Sequence, residues 1–140
     1  MPPVLVAQVK RGVLYTRAEA EGTRLRHPYD TVTEGVGLNR LTANFKLAEI
    51  DDAFHCSDQE AVDMGQFLLR EEGLWVGSSS CVNCVGAVKA ARTLGPGNTI
   101  VTVLCDGGRR HASKFYNAEV LRQHGLVLRK PSTDLTWVAA

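Results

Sequence analysis

Four groups of residues in this chain have the types and spacing that chemistry requires. Ser78-Ser79-Ser80 follow Gly77 and precede a run of small and apolar residues. Hydroxyls and spare backbone N–H groups at a helix start, where the dipole is positive, welcome polar ligands. Their plainer role is to cap the helix that follows. Gly35-Val36-Gly37 is a G-x-G, which lets backbone approach a ligand closely and also serves any tight turn. Asp106 ends an apolar run, where α/β folds place binding groups. It also precedes Gly107-Gly108, where an aspartate suits a turn. Cys81-Val82-Asn83-Cys84 is a C-x-x-C at a helix start, a spacing that suits thiol redox chemistry or half a zinc site. A structural zinc needs four ligands. Cys56, Cys105 and the four histidines offer no companion spacing, so no metal site is expected. The commoner reading of the pair is small residues buried in a helix. His27, His55, His111 and His124 show no spacing that suggests a triad and are expected to be surface or locally bonded. Lys114 with Arg109-Arg110 reads as a solvated basic face.

The elements that must position these groups follow from pattern. Leu74-Trp75-Val76 is a short apolar run into the serine turn. A small-residue helix is predicted from about Val82 to Leu94, burying Val85, Val88 and Ala91 and exposing Lys89 and Arg92. Gly95-Pro96-Gly97 stops it. Thr99 to Cys105, TIVTVLC, has the β-branched continuous pattern of a strand covered on both faces. Upstream, Ser57-Asp58-Gln59-Glu60 is a capping-box pattern. It opens a helix with Ala61, Met64, Gly65 and Leu68 on one face, ended by Gly73. Asp52 to Cys56 reads as a short strand and Leu38 to Phe45 as one or two helical turns. Helical patterning recurs at His111 to Tyr116 and Asn117 to His124, and Pro131 breaks the tail. Strands alternating with helices indicate a parallel α/β sheet.

Composition bounds the rest. A chain of 140 residues with 44% apolar content suits one globular domain with a real core. A net charge of +1 gives no argument for nucleic acid. No apolar run approaches the roughly 20 residues that span a bilayer. The N-terminal stretch lacks the pattern of a secretory signal, and Glu19 and Glu21 argue against a transit peptide. Four cysteines in a core-sufficient chain suggest reduced thiols in an intracellular compartment.

The order of these motifs resembles the fold-type II pyridoxal-phosphate (PLP) enzymes, the cysteine synthase and cystathionine β-synthase group. In that family a strand leads into a G-[GI]-S-[SA]-G turn whose first serine bonds the pyridine nitrogen of PLP. By position that serine is Ser79. The signature E-G-[IV]-G is matched by Glu34-Gly35-Val36-Gly37, and P-D-S-G-x-R-Y by Cys105-Asp106-Gly107-Gly108-Arg109-Arg110-His111. The match runs from about Gly12 to Tyr116, and the text GVGLNRLTANF looks most like the cysteine synthase-like branch. The chain departs from the pattern at Cys81, for glycine, and at Cys105, for proline. It has no lysine followed by Asp-Arg, the family's Schiff-base context, and neither the S-G-N-T-G loop nor the G-T-G-G-T phosphate cradle.

The resemblance implies part of a large parallel-sheet domain of the tryptophan synthase β-like architecture. Its expected layout is an N-terminal segment at 1–11, a PLP-domain portion at 12–125 and a tail at 126–140. It implies PLP as cofactor, held here by Ser79, Gly35, Gly37 and Asp106, with no catalytic residue because the lysine is absent. It further implies β-replacement on O-acetylserine or serine with sulfide, in a homodimer, with this chain as the C-terminal portion. Two rivals remain open: a non-catalytic α/β remnant or interaction module, and a thiol-redox protein using Cys81 and Cys84.

Overall fold

The computed structural model describes residues 31–36, 47, 51–52 and 54–139. The chain divides into two compact units: Met1–Asp30 with Gly35–His55, and Thr31–Glu34 with Cys56–Ala140. Expectations for Gly12 to Asp30, Gly37 and Leu38 to Phe45 lie outside the described residues. In the first unit Gly35 has a φ of +76°, a left-handed conformation that glycine adopts without strain. Leu47 is exposed.

The second unit is built on two packed helices, α1 (Asp58–Glu71) and α2 (Ser78–Leu94). Helix α1 begins with the predicted capping box: Ser57 Oγ accepts from the Glu60 N–H, and the Glu60 carboxylate accepts from the Ser57 N–H at 2.8 Å. Its buried face carries Ala61, Met64, Gly65 and Leu68, as the 3.6-residue period requires. Gly65 brings the helices close. A Cβ there would sit 3.3 Å from Cys81 Sγ on α2 and 3.0 Å from the Phe115 ring. The core joins these residues to Val32, Val62, Val76, Val85, Leu121 and Val138.

Helix α2 starts four residues before the predicted Val82, so the serines form its first turn. Gly95, with φ +78°, ends it. Its buried row is Ser78, Cys81, Val85 and Lys89. Lys89 was expected in solvent. Instead it is buried and paired with buried Glu60 of α1, Nζ to Oε1 2.9 Å. The same carboxylate oxygen accepts from the Ala139 N–H at 2.9 Å. The last segment therefore folds back on the helices. Trp137 packs on Phe67, Arg92 donates to the Leu135 and Val138 carbonyls, and Arg129 forks onto the buried Asp63 carboxylate.

A short 3-10 helix (Gly108–His111) and α3 (Ala118–Gln123, capped by Asn117) complete the unit. No strand forms among the described residues; Val76 and Gly107 make an isolated antiparallel bridge. Residues 52 and 54–56 carry no strand either. Thr99 to Cys105 is not covered on both faces here: Val101 is 87% exposed, Val103 66% and Leu104 45%. Apolar patterning reports what a segment is suited to bury, and no described segment lies alongside to form a ladder.

Candidate cofactor-binding site

The three serines at the start of α2 divide by environment. The N-cap is Gly77, which has no side chain to cap with. Ser78 and Ser80 are fully buried. Ser80 Oγ accepts from the Cys105 N–H at 2.8 Å, tying the end of the apolar run to the helix. Ser78 Oγ accepts from the Glu34 N–H at 2.9 Å and lies 3.4 Å from His111 Nδ1. Ser79 is half-buried and makes no side-chain hydrogen bond among the described residues. Its hydroxyl stands in the first turn of a 17-residue helix, where the dipole is positive.

Asp106 is held beside this turn by backbone and side chain. Its carbonyl accepts from the Gly77 N–H at 2.8 Å, and Trp75 O accepts from the Gly108 N–H at 3.0 Å. Its carboxylate Oδ2 lies 2.8 Å from His111 Nε2. Arg110 stands 3.9 Å away and is largely exposed, so it adds little. The approach requires glycine at position 77: a Cβ there would sit 1.8 Å from Asp106 Oδ1 and 2.7 Å from His111 Nε2. Asp106 Oδ1 is itself buried without a hydrogen-bond partner among the described residues. A buried carboxylate oxygen without a donor marks a place where one is wanted. Tyr116 Oη donates to the Val76 carbonyl at 2.6 Å and fixes the strand-like entry to the turn.

His111 is locally bonded, as expected, to Asp106 five residues back, but it is not on the surface. It is 2% exposed and bridges Ser78 and Asp106, so a serine, a histidine and an aspartate do come together. The Ser78–His111 contact spans 33 residues, and local spacing carries no signal of it. Ser78 is closed off from solvent and His111 is buried, while the Asp106 side chain is 28% exposed. That is a structural arrangement and not an exposed nucleophile.

Cys81 is buried and Cys84 half-buried within α2, as the commoner reading of the C-x-x-C expected. Burial pushes the Cys81 thiol up to about 12, against a smaller lowering by its hydrogen bond to Tyr116. Burial raises Cys84 as well. At neutral pH neither is a ready thiolate, despite the helix start. Cys81 fills space beside Gly65 instead. Among the described residues no three of His, Cys, Asp and Glu gather as metal ligands would.

The residues present fit the nitrogen side of a pyridoxal phosphate. They offer a half-buried hydroxyl with no side-chain hydrogen bond among the described residues, a positive helix end and a fixed aspartate with one buried oxygen that lacks a donor there. The sequence offers no phosphate cradle and no lysine in the Schiff-base context. Gly35 lies in the other unit, and Gly37 is outside the described residues.

Comparison with known proteins bears on the same stretch. A family model described as pyridoxal-phosphate dependent enzyme matches residues 2–106. Cysteine synthase 2 of Schizosaccharomyces pombe is 53% identical over 131 residues, 92% of this chain and 33% of that protein. The putative mitochondrial cysteine synthase of Saccharomyces cerevisiae is 43% identical over 125 residues, 88% of this chain and 32% of its own. Cystathionine beta-synthase of Mus musculus is 32% identical over 104 residues, 74% of this chain and 18% of that protein. The chain thus spans about a third or less of the length of these relatives.

Proposed function

The chain belongs to the pyridoxal-phosphate dependent enzymes, and from that membership we propose that it is the C-terminal portion of a cysteine synthase-type enzyme. The reaction is replacement of the β-substituent of O-acetylserine or serine by sulfide, in an intracellular homodimer. The relatives named cysteine synthase support this reading. The observation that carries it is Ser79, a hydroxyl with no partner among the described residues in the first turn of α2, at the motif's serine position.

When bound, pyridoxal phosphate supplies an electron sink at the amino acid's α-carbon. The residues of this chain set how strong that sink is. The Ser79 hydroxyl can donate to a neutral ring nitrogen and cannot hold a pyridinium as a carboxylate would. The positive helix end further disfavours a proton there. A milder sink suits β-elimination and replacement and discourages transamination. At Gly35 and Gly37 the E-G-V-G motif implies glycines that leave room for backbone beside the ring and the substrate amine. Asp106, held by His111, stands at the edge of the same turn. The lysine and the phosphate cradle are supplied by sequence beyond these 140 residues.

A complete enzyme carrying this segment tests the proposal. Ser79→Asp should protonate the ring nitrogen and divert turnover towards transamination products. Ser79→Ala should lower activity about tenfold without changing the reaction type, as loss of one strong hydrogen bond predicts. Product analysis decides. A Ser79→Asp enzyme with the parent's kinetics and products would show that the hydroxyl does not meet the ring. Absence of any PLP-dependent turnover in the parent would favour the second reading, a non-catalytic interaction module, for which the missing K-D-R lysine speaks.

A further inference from the structure

Ser78 and His111 are both departures from the motifs that the chain resembles. The turn motif has Gly or Ile where Ser78 stands, and the downstream motif has Tyr where His111 stands. These two departures meet: Ser78 Oγ lies 3.4 Å from His111 Nδ1, with both residues buried. Neither glycine nor isoleucine offers a side-chain donor or acceptor at that place.

The remaining partners limit the direction of each proton. Ser78 Oγ accepts from the Glu34 N–H, so its own proton is available to a bare Nδ1. The Asp106 carboxylate only accepts, so the proton on the 2.8 Å contact belongs to Nε2. Neutral His111 with hydrogen on Nε2 serves all three contacts; an imidazolium donating from Nδ1 to Ser78 would serve them too, and the measurement below separates the two.

We propose that His111 is a positioning residue locked in the neutral form with hydrogen on Nε2. The relay Glu34 N–H to Ser78, Ser78 to His111, His111 to Asp106 fixes two segments against the N-terminus of α2. One is the backbone entering Gly35; the other is the Asp106 carboxylate. The relay occupies Oδ2 alone; Oδ1 is buried against Gly77 with no hydrogen-bond partner among the described residues. Ser78 and His111 are therefore an exchange pair, and replacing one without the other breaks the relay. The importance of this for the cofactor rests on the reading above, but the relay itself does not.

Nitrogen NMR of the chain labelled with 15N-histidine tests it, in solution or under magic-angle spinning, with His111→Tyr identifying the His111 signals. The expected result at neutral pH is a pyridine-like Nδ1 and a pyrrole-like Nε2. An imidazolium, the reverse tautomer or an averaged mixture would overturn the proposal. Amide exchange gives a second readout. Ser78→Gly should speed exchange of the Glu34 N–H about fivefold, the loss of one ordinary hydrogen bond. The double variant Ser78→Gly/His111→Tyr should unfold closer to the parent temperature than His111→Tyr alone. Unchanged Glu34 exchange, or no rescue, would also count against the relay. None of these measurements uses PLP. Failure of the cofactor reading would leave them standing, and their failure would leave the Ser79 product analysis untouched.

Discussion

Replacing Lys89 by alanine should destabilise the second unit by about 3–5 kcal/mol, the usual cost of stranding one partner of a buried ion pair. Glu60 and Lys89 are 8% and 6% exposed and 2.9 Å apart. The pair joins α1, α2 and, through the Ala139 N–H, the last segment. Burial pushes the Glu60 carboxyl up. The Lys89 ammonium and the Ser57 and Ala139 donors outweigh it and hold the group below its ordinary 4.5. A carboxylate lowered by folding contributes stability above its unfolded value and loses it as pH falls through the folded value. The parent should therefore keep this contribution down to about pH 4.5 and lose it below. In Lys89→Ala that acid-side loss should shrink. Urea unfolding followed by tryptophan fluorescence reports on this unit, since both tryptophans, Trp75 and Trp137, lie in it. The double variant Glu60→Gln/Lys89→Met should recover the parent midpoint to within about 1–2 kcal/mol. A single Lys89→Ala variant as stable as the parent would mean the pair is not closed.

The 140-residue chain on its own should self-associate, and two lysines should stop it. Val101 and Val103 are 87% and 66% exposed in an apolar run. Among the described residues the run is tied down at its end through Ser80 to Cys105 and Asn83 to the Val103 carbonyl. An apolar extended edge with free backbone groups is a template for pairing with another chain. Size-exclusion chromatography over a range of concentrations should show the parent growing in size. Val101→Lys/Val103→Lys should run as a monomer with unit 2 intact, because both side chains already face solvent. A parent that stays monomeric at every concentration, with slow amide exchange across Thr99 to Cys105, would contradict this.

What the sequence revealed depended on the range of each interaction. The α1 cap was legible because Ser57 and Glu60 are three residues apart and the motif is local. Helix α2 was legible from its small residues and the glycine stop. Its start was set too late because a triple serine reads as a turn, although here it forms the first turn. Lys89 was misplaced because periodicity assigns a charge to solvent unless its partner is known, and Glu60 lies on another helix. The Ser78 contact of His111 was missed for the same reason, Ser78 lying 33 residues away on another element. A signal was nonetheless present: Ser78 and His111 each depart from the motif around them. For Thr99 to Cys105, apolar pattern foretold a buried strand without naming what would cover it. Gly35 adopts the positive φ that a G-x-G invites.

The most direct test of the account is the protonation state of the cofactor's ring nitrogen in a complete enzyme carrying this segment. Pyridoxal phosphate labelled with 15N in the ring, bound to that enzyme, can be read by NMR. Ser79 at the N-terminus of α2 predicts an unprotonated nitrogen in the parent and a protonated one in Ser79→Asp. A pyridinium in the parent, or the same signal in both enzymes, would contradict the placement of Ser79 against the ring.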